Sequence, residues 1–156
     1  MKKIIITLLV VFMATFTISE IGAQDYKAGI GLRAGTYTGL TFKYFTKPLM
    51  ALEFIVATRY KAVGFTVLVE GHTHLLPRLN FLYGAGGHSY FWGENNLDNS
   101  PFGRSPVVGI DGIVGLDYAW TGIPISMSID WKPTINLGVS DGIWTDEAAF
   151  SIRYTF

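Results

Sequence analysis

A short stretch at residues 84–89 has residue types that could carry out chemistry. Three glycines precede His88 and Ser89 there, as in a phosphate-binding loop or a base beside a nucleophile. A phosphate-binding loop needs a following helix whose amide groups point at the phosphate, but these glycines continue a strand pattern. His88 and Ser89 are neighbours on that strand, so their side chains point to opposite faces and cannot form the hydrogen bond that a nucleophile needs. The stretch therefore favours packing glycines and a polar interior histidine.

Two other groups of residues have the types that bind metal ions. His72 and His74 are two residues apart, beside Glu70, but they fall in a predicted turn and no further ligand is evident. Two polar loops, 92–106 and 133–146, could supply oxygen ligands to calcium, but the spacing of a calcium-binding loop is absent. These oxygen ligands would be Asn95, Asn96, Asp98, Asn99, Asp141 and Asp146. The sequence therefore predicts neither a metal site nor a cofactor.

Composition excludes several classes of protein. The 156 residues include 12 basic and 12 acidic side chains, so the chain has no net charge that would favour nucleic acid. Cysteine is absent, which excludes disulfides and thiol catalysis. Apolar residues make up 49% of the chain and charged residues 15%. This charged fraction is below the roughly 25% of soluble domains, and the high hydropathy excludes disorder.

The first 23 residues have the order of a secretory signal peptide. Lys2 and Lys3 form a basic start, an apolar run of 4–16 follows, and small residues end the segment at Ala23. The apolar run is shorter than the roughly 20 residues that a transmembrane helix needs. We predict export through the Sec pathway with cleavage after Ala23, which leaves one domain, 24–156.

The remaining chain alternates apolar and polar residues with a period of two, which favours strands over helices. Eight strands of about ten residues are predicted, a length that crosses a bilayer at a tilt. They span 26–35, 40–46, 51–60, 63–71, 79–90, 107–118, 123–132 and 147–156.

Every charge within these strands lies on the face opposite the apolar row. A soluble barrel or sandwich would point the apolar face inward, whereas a transmembrane barrel points it at lipid. A glycine-rich charged face, balanced charges and aromatic strand ends favour the second. We predict an all-β, eight-stranded antiparallel up-and-down transmembrane β-barrel with a polar lumen that side chains fill. The predicted lumen charges, which should pair because an unpaired buried charge is costly, are Lys27, Arg33, Lys43, Glu53, Arg59, Glu70, Asp111, Asp117, Asp130, Lys132, Glu147 and Arg153.

This pattern resembles the small eight-stranded outer-membrane β-barrels of Gram-negative bacteria, and most of all the short ones common in Bacteroidetes. The likeness spans the mature chain and includes no motif that is diagnostic of a family. Its sharpest part is the last strand, which is similar to the terminal β-signal read by the barrel-assembly machinery. The alternating residues of this signal are Phe150, Ile152, Tyr154 and Phe156. The resemblance implies periplasmic termini, surface loops at 36–39, 61–62, 92–106 and 133–146, and periplasmic turns near 47–50, 71–78 and 119–122.

The expected function is that of a non-enzymatic protein of the cell outer membrane, with a structural or surface-interaction role through the loops 92–106 and 133–146. Its expected partners are outer-membrane lipid and the assembly machinery. The barrel is porin-like in outline, but a filled, ion-paired lumen would make a poor pore. Two alternatives stay open: an outer-membrane enzyme that modifies lipid A, and a soluble periplasmic barrel that binds a small apolar ligand. Lipid A deacylases use Ser and His on a small barrel, and no His and Ser two apart on a lipid-facing row are found here.

Overall fold

A computed structural model describes residues 26–59, 62–92, 106–137 and 142–156. The predicted signal peptide and most of the loop 92–106 lie outside the described residues. Throughout the described ranges the regular structure is β, in ten strand segments. They are β1 (Ala28–Gly35), β2 (Thr38–Lys47), β3 (Met50–Arg59), β4 (Ala62–Leu76), β5 (Leu79–Trp92), β6 (Val107–Ala119), β7 (Ile125–Trp131), β8 (Thr134–Leu137), β9 (Ile143–Trp144) and β10 (Ala148–Thr155). The described part of the chain has no helix long and apolar enough to cross a membrane.

The ten segments form eight strands of one closed sheet. β7 and β8 follow one another along the same side of β6. β7 pairs with the second half of β6, and β8 pairs with its first half. β9 pairs with β8, and β10 pairs with β7, so β9 and β10 also make up a single interrupted strand. The break after β7 falls at Pro133, whose ring nitrogen has no hydrogen to donate to a ladder. Its carbonyl oxygen instead accepts a hydrogen bond of 2.9 Å from the Gly112 amide.

Antiparallel pairing of the first strand with the last closes the barrel. β1 pairs with β10 on one side and β2 on the other, and β5 pairs with β6 to complete the ring. The first and last described residues, Tyr26 and Phe156, therefore lie at one rim, here called the terminal end, and the opposite rim is called the loop end. The all-β, eight-stranded antiparallel barrel predicted from the alternation is confirmed.

The strands are staggered around the ring, and the stagger fixes the width of the lumen. The paired residues can be followed around the barrel from Leu32 in both directions. Through β2, β3, β4 and β5 they lead to Val108 on β6. Through β10 and β7 they lead to Tyr118 on β6, ten positions away. Eight strands with that stagger tilt by about 40° and lie about 8 Å from the axis. An interior of this width is filled by side chains.

Burial is inverted relative to a soluble core. The outward-facing Phe42, Val67 and Ile129 are exposed by 37%, 45% and 60%, whereas the inward-facing Arg33 and Asp130 are exposed by 0% and 4%. One wall of the interior is nevertheless apolar. It comprises mainly inward residues of β3 to β6, with Tyr37 from the turn before β2: Tyr37, Ile55, Ala57, Leu68, Leu82, Tyr90, Val107 and Ile113.

Two predicted connections are wrong. The predicted turn at 71–78 is mostly strand, because β4 continues to Leu76 and its residues pair with the start of β5. Only Pro77 and Arg78 form the turn. The predicted loop 133–146 contains β8 and β9, which pair with each other. In both places polar residues suggested a loop, but cross-strand partners decide strand formation more strongly than local composition.

Candidate functional site: the lumen charge network

Most of the predicted lumen charges are buried inside the barrel. Because alternate residues of each strand face inward, ten of them share the interior: Arg33, Lys43, Glu53, Glu70, Asp111, Asp117, Asp130, Lys132, Glu147 and Arg153. The side chain of Arg59 lies outside the described residues. These ten charges form two clusters, one toward each end of the barrel.

Lys27 is a correction, because its side chain is exposed. It precedes β1, where the alternation of faces does not yet hold. Tyr26, the first residue of the predicted strand 26–35, takes the inward place instead. Its hydroxyl donates a hydrogen bond of 3.0 Å to Asp117, and its ring packs edge-on against Phe45 at 5.1 Å. Burial and the negative charge of Asp117 raise the pKa of the Tyr26 hydroxyl, so it stays a donor.

The terminal cluster consists of Lys43, Glu53, Glu70, Asp117 and Arg153. Lys43 is at its centre, with its Nζ 2.7 Å from Glu70 Oε2, 3.3 Å from Asp117 Oδ2 and 3.8 Å from Glu53 Oε2. Arg153 forms an ion pair with Glu53 across 100 residues of sequence. Of the predicted lumen cations, Arg153 and Lys43 are thus the ones described in contact with Glu53.

Hydroxyl groups complete the terminal cluster. Arg153 Nη1 donates to Ser128 Oγ at 2.8 Å, and its Nε donates to Thr41 Oγ1 at 3.3 Å. The hydroxyl of Thr41 in turn donates to Glu53. Additional hydrogen bonds help to compensate the desolvation of a buried ion pair, and these hydroxyl groups supply them to Arg153 and to one oxygen of Glu53. The second oxygens of Glu53, Glu70 and Asp117 are buried without a hydrogen-bond partner among the described residues.

The loop cluster consists of Arg33, Asp111, Asp130, Lys132 and Glu147. Arg33 binds Asp130 through two nearly parallel hydrogen bonds of 2.8 and 2.5 Å, the two-pronged geometry that suits a guanidinium and a carboxylate. Lys132 Nζ bridges Asp111 at 3.0 Å and Glu147 at 2.8 Å. Arg33 Nη2 is 3.7 Å from the other oxygen of Glu147, which joins the two halves of the cluster.

His88 connects the loop cluster to β8. Its Nδ1 is 3.0 and 3.1 Å from the two oxygens of Asp111, and its Nε2 is 3.0 Å from Asn136 Oδ1. The side-chain Nδ2 of Asn136 donates to the Gly142 carbonyl at 3.2 Å, which turns Oδ1 of Asn136 toward the histidine. Both ring nitrogens thus face oxygen acceptors, and an imidazolium donates to both at once.

Each cluster contains two cations and three carboxylates, so one additional proton balances its charge. Histidine lies beside a carboxylate in both clusters: His72 Nε2 is 3.3 Å from Glu70, and His88 contacts Asp111. Glu147, which lies just before β10, is buried and contacts both Lys132 and Arg33. In the loop cluster, His88 and Lys132 both contact Asp111, so this carboxylate lies at the centre of the cluster.

An aromatic group above the loop cluster was missed by the sequence analysis. Tyr37 was assigned to a turn, but it is buried and stacks on Tyr90 with ring centroids 5.4 Å apart. Trp144 packs on Tyr90 at 6.3 Å, and Lys132 Nζ is 5.9 Å from the centre of the Tyr37 ring. The residue number of Tyr37 does indicate an inward side chain, because Tyr37 is an even number of residues from the inward-facing Thr41 and Lys43.

The two histidines of the predicted pair point to different environments. His72 is buried in β4, whereas His74 is exposed. No group of three or more metal-ligating side chains occurs in the described ranges.

In the last strand, Phe150 and Ile152 face outward and are exposed. Phe156 closes the barrel through its backbone, because its amide donates to Ala28 at 2.8 Å and its carbonyl oxygen accepts from the Ala28 amide at 2.8 Å.

Taken together, the contacts pair every described buried cation with carboxylates, and these charged and hydroxyl side chains share the interior with the apolar residues. Comparison with protein-family models, with curated proteins and with solved structures found no match.

Proposed function

We propose that this chain is a non-enzymatic outer-membrane β-barrel protein of a Gram-negative, Bacteroidetes-like bacterium, exported through a signal peptide. Its role is structural or depends on interactions at the cell surface. Outer-membrane lipid is its permanent partner, and the barrel-assembly machinery is its partner during biogenesis.

The inverted burial carries this proposal. Large apolar side chains cover the outer wall of the barrel, whereas ten charges are enclosed within it. A soluble protein rarely exposes so continuous an apolar surface, and a barrel in lipid has this arrangement. Removing the outer apolar side chains from water into hydrocarbon contributes about 25 cal/mol per Å².

The length of the strands is consistent with the thickness of the membrane. β2 and β3 each have ten residues. At about 3.3 Å per residue and a tilt of about 40°, ten residues span about 25 Å, which is the height of the apolar band in outer-membrane barrels. The β-signal residues Phe150, Ile152, Tyr154 and Phe156 add support from the sequence.

The loop end offers the surface for interactions. The predicted loop 133–146 is partly a hairpin, and the side chains of Ile135, Leu137 and Ile143 on β8 and β9 are exposed. Because β8 is also bound to His88 through Asn136, this hairpin is anchored to the lumen. A rigid hairpin loses little conformational entropy when it binds a partner.

Cell fractionation with gel electrophoresis tests the proposal. We expect the protein in the outer-membrane fraction, extractable only with detergent, and a faster-migrating folded band that shifts when the sample is boiled. N-terminal sequencing should begin at Gln24. Recovery of folded protein from the soluble fraction without detergent would contradict membrane insertion and favour the soluble barrel. A change in the lipid A mass spectrum on expression would contradict the non-enzymatic role.

A further inference from the structure

The turns at the terminal end of the barrel have an unusual composition. These turns, together with the residues that flank them, are here called the terminal rim: 47–50, 75–78 and 120–124. Turns that face water are normally rich in Gly, Asn, Asp and Ser. The terminal rim instead exposes large apolar side chains in every turn: Leu49, Met50, Leu75, Leu76, Trp120 and Ile123. Apolar and tryptophan side chains of this kind suit the boundary between headgroups and acyl chains.

Among the described residues at this rim, the charged side chains that are not buried all have one sign. Lys27 and Lys47 are exposed, and Arg78 is half-buried in the turn between β4 and β5. Long basic side chains can cover apolar surface with their stems while the charged heads reach phosphate groups. The combination of apolar tips and basic heads is complementary to a layer of anionic lipid headgroups.

Arg78 provides a second, independent observation. It follows Pro77 in a two-residue turn and has a φ of +69°. Proline first and a left-handed residue second is the pattern of a type II turn, in which glycine is the usual second residue. A side chain at that position costs conformational energy. This turn therefore carries an arginine rather than the usual glycine, directly after the exposed Leu75 and Leu76.

We propose that the terminal rim binds the phosphate-bearing headgroups of anionic phospholipids, with Arg78 and the neighbouring Trp120 as one binding sector. This proposal rests on the proposed membrane insertion. The two residues lie together because the amide of Ala119, next to Trp120, donates a hydrogen bond of 3.0 Å to the Arg78 carbonyl. A basic residue at an anionic membrane surface changes lipid affinity by about fivefold.

Quenching of tryptophan by brominated lipids tests the proposal locally. A variant whose one tryptophan is Trp120 is made by replacing Trp92, Trp131 and Trp144 with Phe. It is folded into phosphatidylcholine vesicles that contain brominated phosphatidylglycerol or brominated phosphatidylcholine. We expect phosphatidylglycerol to associate at Trp120 about fivefold more strongly, and Arg78→Gln to bring this ratio to about one. Arg78→Lys should retain most of the preference, because it retains the charge.

Two controls locate the effect. Lys47→Gln removes a cation on a different turn of the same rim, so it should leave the preference at Trp120 unchanged. A variant that retains Trp131 alone reports from the middle of the strand formed by β7 and β8, away from the terminal rim, and should show no preference. Equal quenching by the two lipids at Trp120 in an inserted, heat-modifiable barrel would overturn this proposal alone. Failure to insert into either kind of vesicle would overturn the proposed function.

Discussion

Replacement of Lys43 is the most direct test of the ion-pair network. Its fully buried ammonium group contacts Glu70 at 2.7 Å, Asp117 at 3.3 Å and Glu53 at 3.8 Å. Lys43→Met keeps a long unbranched side chain of similar volume, so packing changes little. The main consequence is that three buried carboxylates lose a cation.

The expected cost follows from these distances. At an effective dielectric constant of about 20, each contact is worth about 4 to 6 kcal/mol of Coulomb energy before the hydration lost by the ammonium group is counted. Removal of one partner from a buried pair has a net cost of about 3 to 5 kcal/mol. Since three carboxylates are affected, we expect Lys43→Met to lower the free energy of unfolding by at least about 4 kcal/mol at pH 8.

The assay is urea unfolding in phosphatidylcholine vesicles, followed by tryptophan fluorescence. Lys47→Met, on the same strand but exposed, is the matched control and should change stability by less than about 0.5 kcal/mol. Acidification should reduce the difference in the free energy of unfolding between Lys43→Met and the original protein. The reason is that the folded variant then takes up protons on the carboxylates that have lost their cation. The double variant with Glu70→Gln should also recover part of the loss. Equal unfolding of Lys43→Met and Lys47→Met would show that Lys43 does not lie in a dry lumen.

Three other variants test the interior and the seam of the barrel. Asp130→Asn removes the two-pronged partner of Arg33 and should cost about 3 kcal/mol by urea unfolding; an unchanged midpoint would contradict that pair. Gly31→Ala would place a methyl group against the backbone of the last strand and should reduce heat-modifiable protein, whereas Gly112→Ala, which meets nothing closer than 3.6 Å, should assemble normally. Deletion of Phe156 should lower the assembled yield more than Phe156→Ala, because deletion also removes backbone hydrogen bonds to the first strand; normal insertion of the deletion would refute the β-signal.

Strand faces could be predicted because each strand has its own internal marker. In β4, for example, Val63, Phe65, Val67 and Val69 occupy one parity and Glu70 the other. One charge or one apolar row therefore fixes which residues face inward, and no knowledge of neighbouring strands is needed. The strand number followed from the same pattern.

The ion-pair partners could not be predicted, because they depend on the stagger between distant strands. Glu53 meets Arg153 from the far end of the chain, and Arg33 meets Asp130 across 97 residues. Local sequence contains no information on that stagger. The exchange of Tyr26 and Lys27 had a similar cause, since the residues before a strand begins are placed by the barrel rim rather than by alternation.

Pairing across such distances has a consequence for the order of assembly. Glu53 belongs to the third strand, yet its guanidinium partner arrives with the final strand. An incomplete sheet therefore leaves Glu53 without its guanidinium partner and with Lys43 alone as a cation, a deficit that hydrocarbon penalises heavily and water does not. If the barrel inserts into a bilayer as proposed, it would have to stay hydrated until its last strand is in place, so that entry into the bilayer and completion of the ion pairs would be a single event.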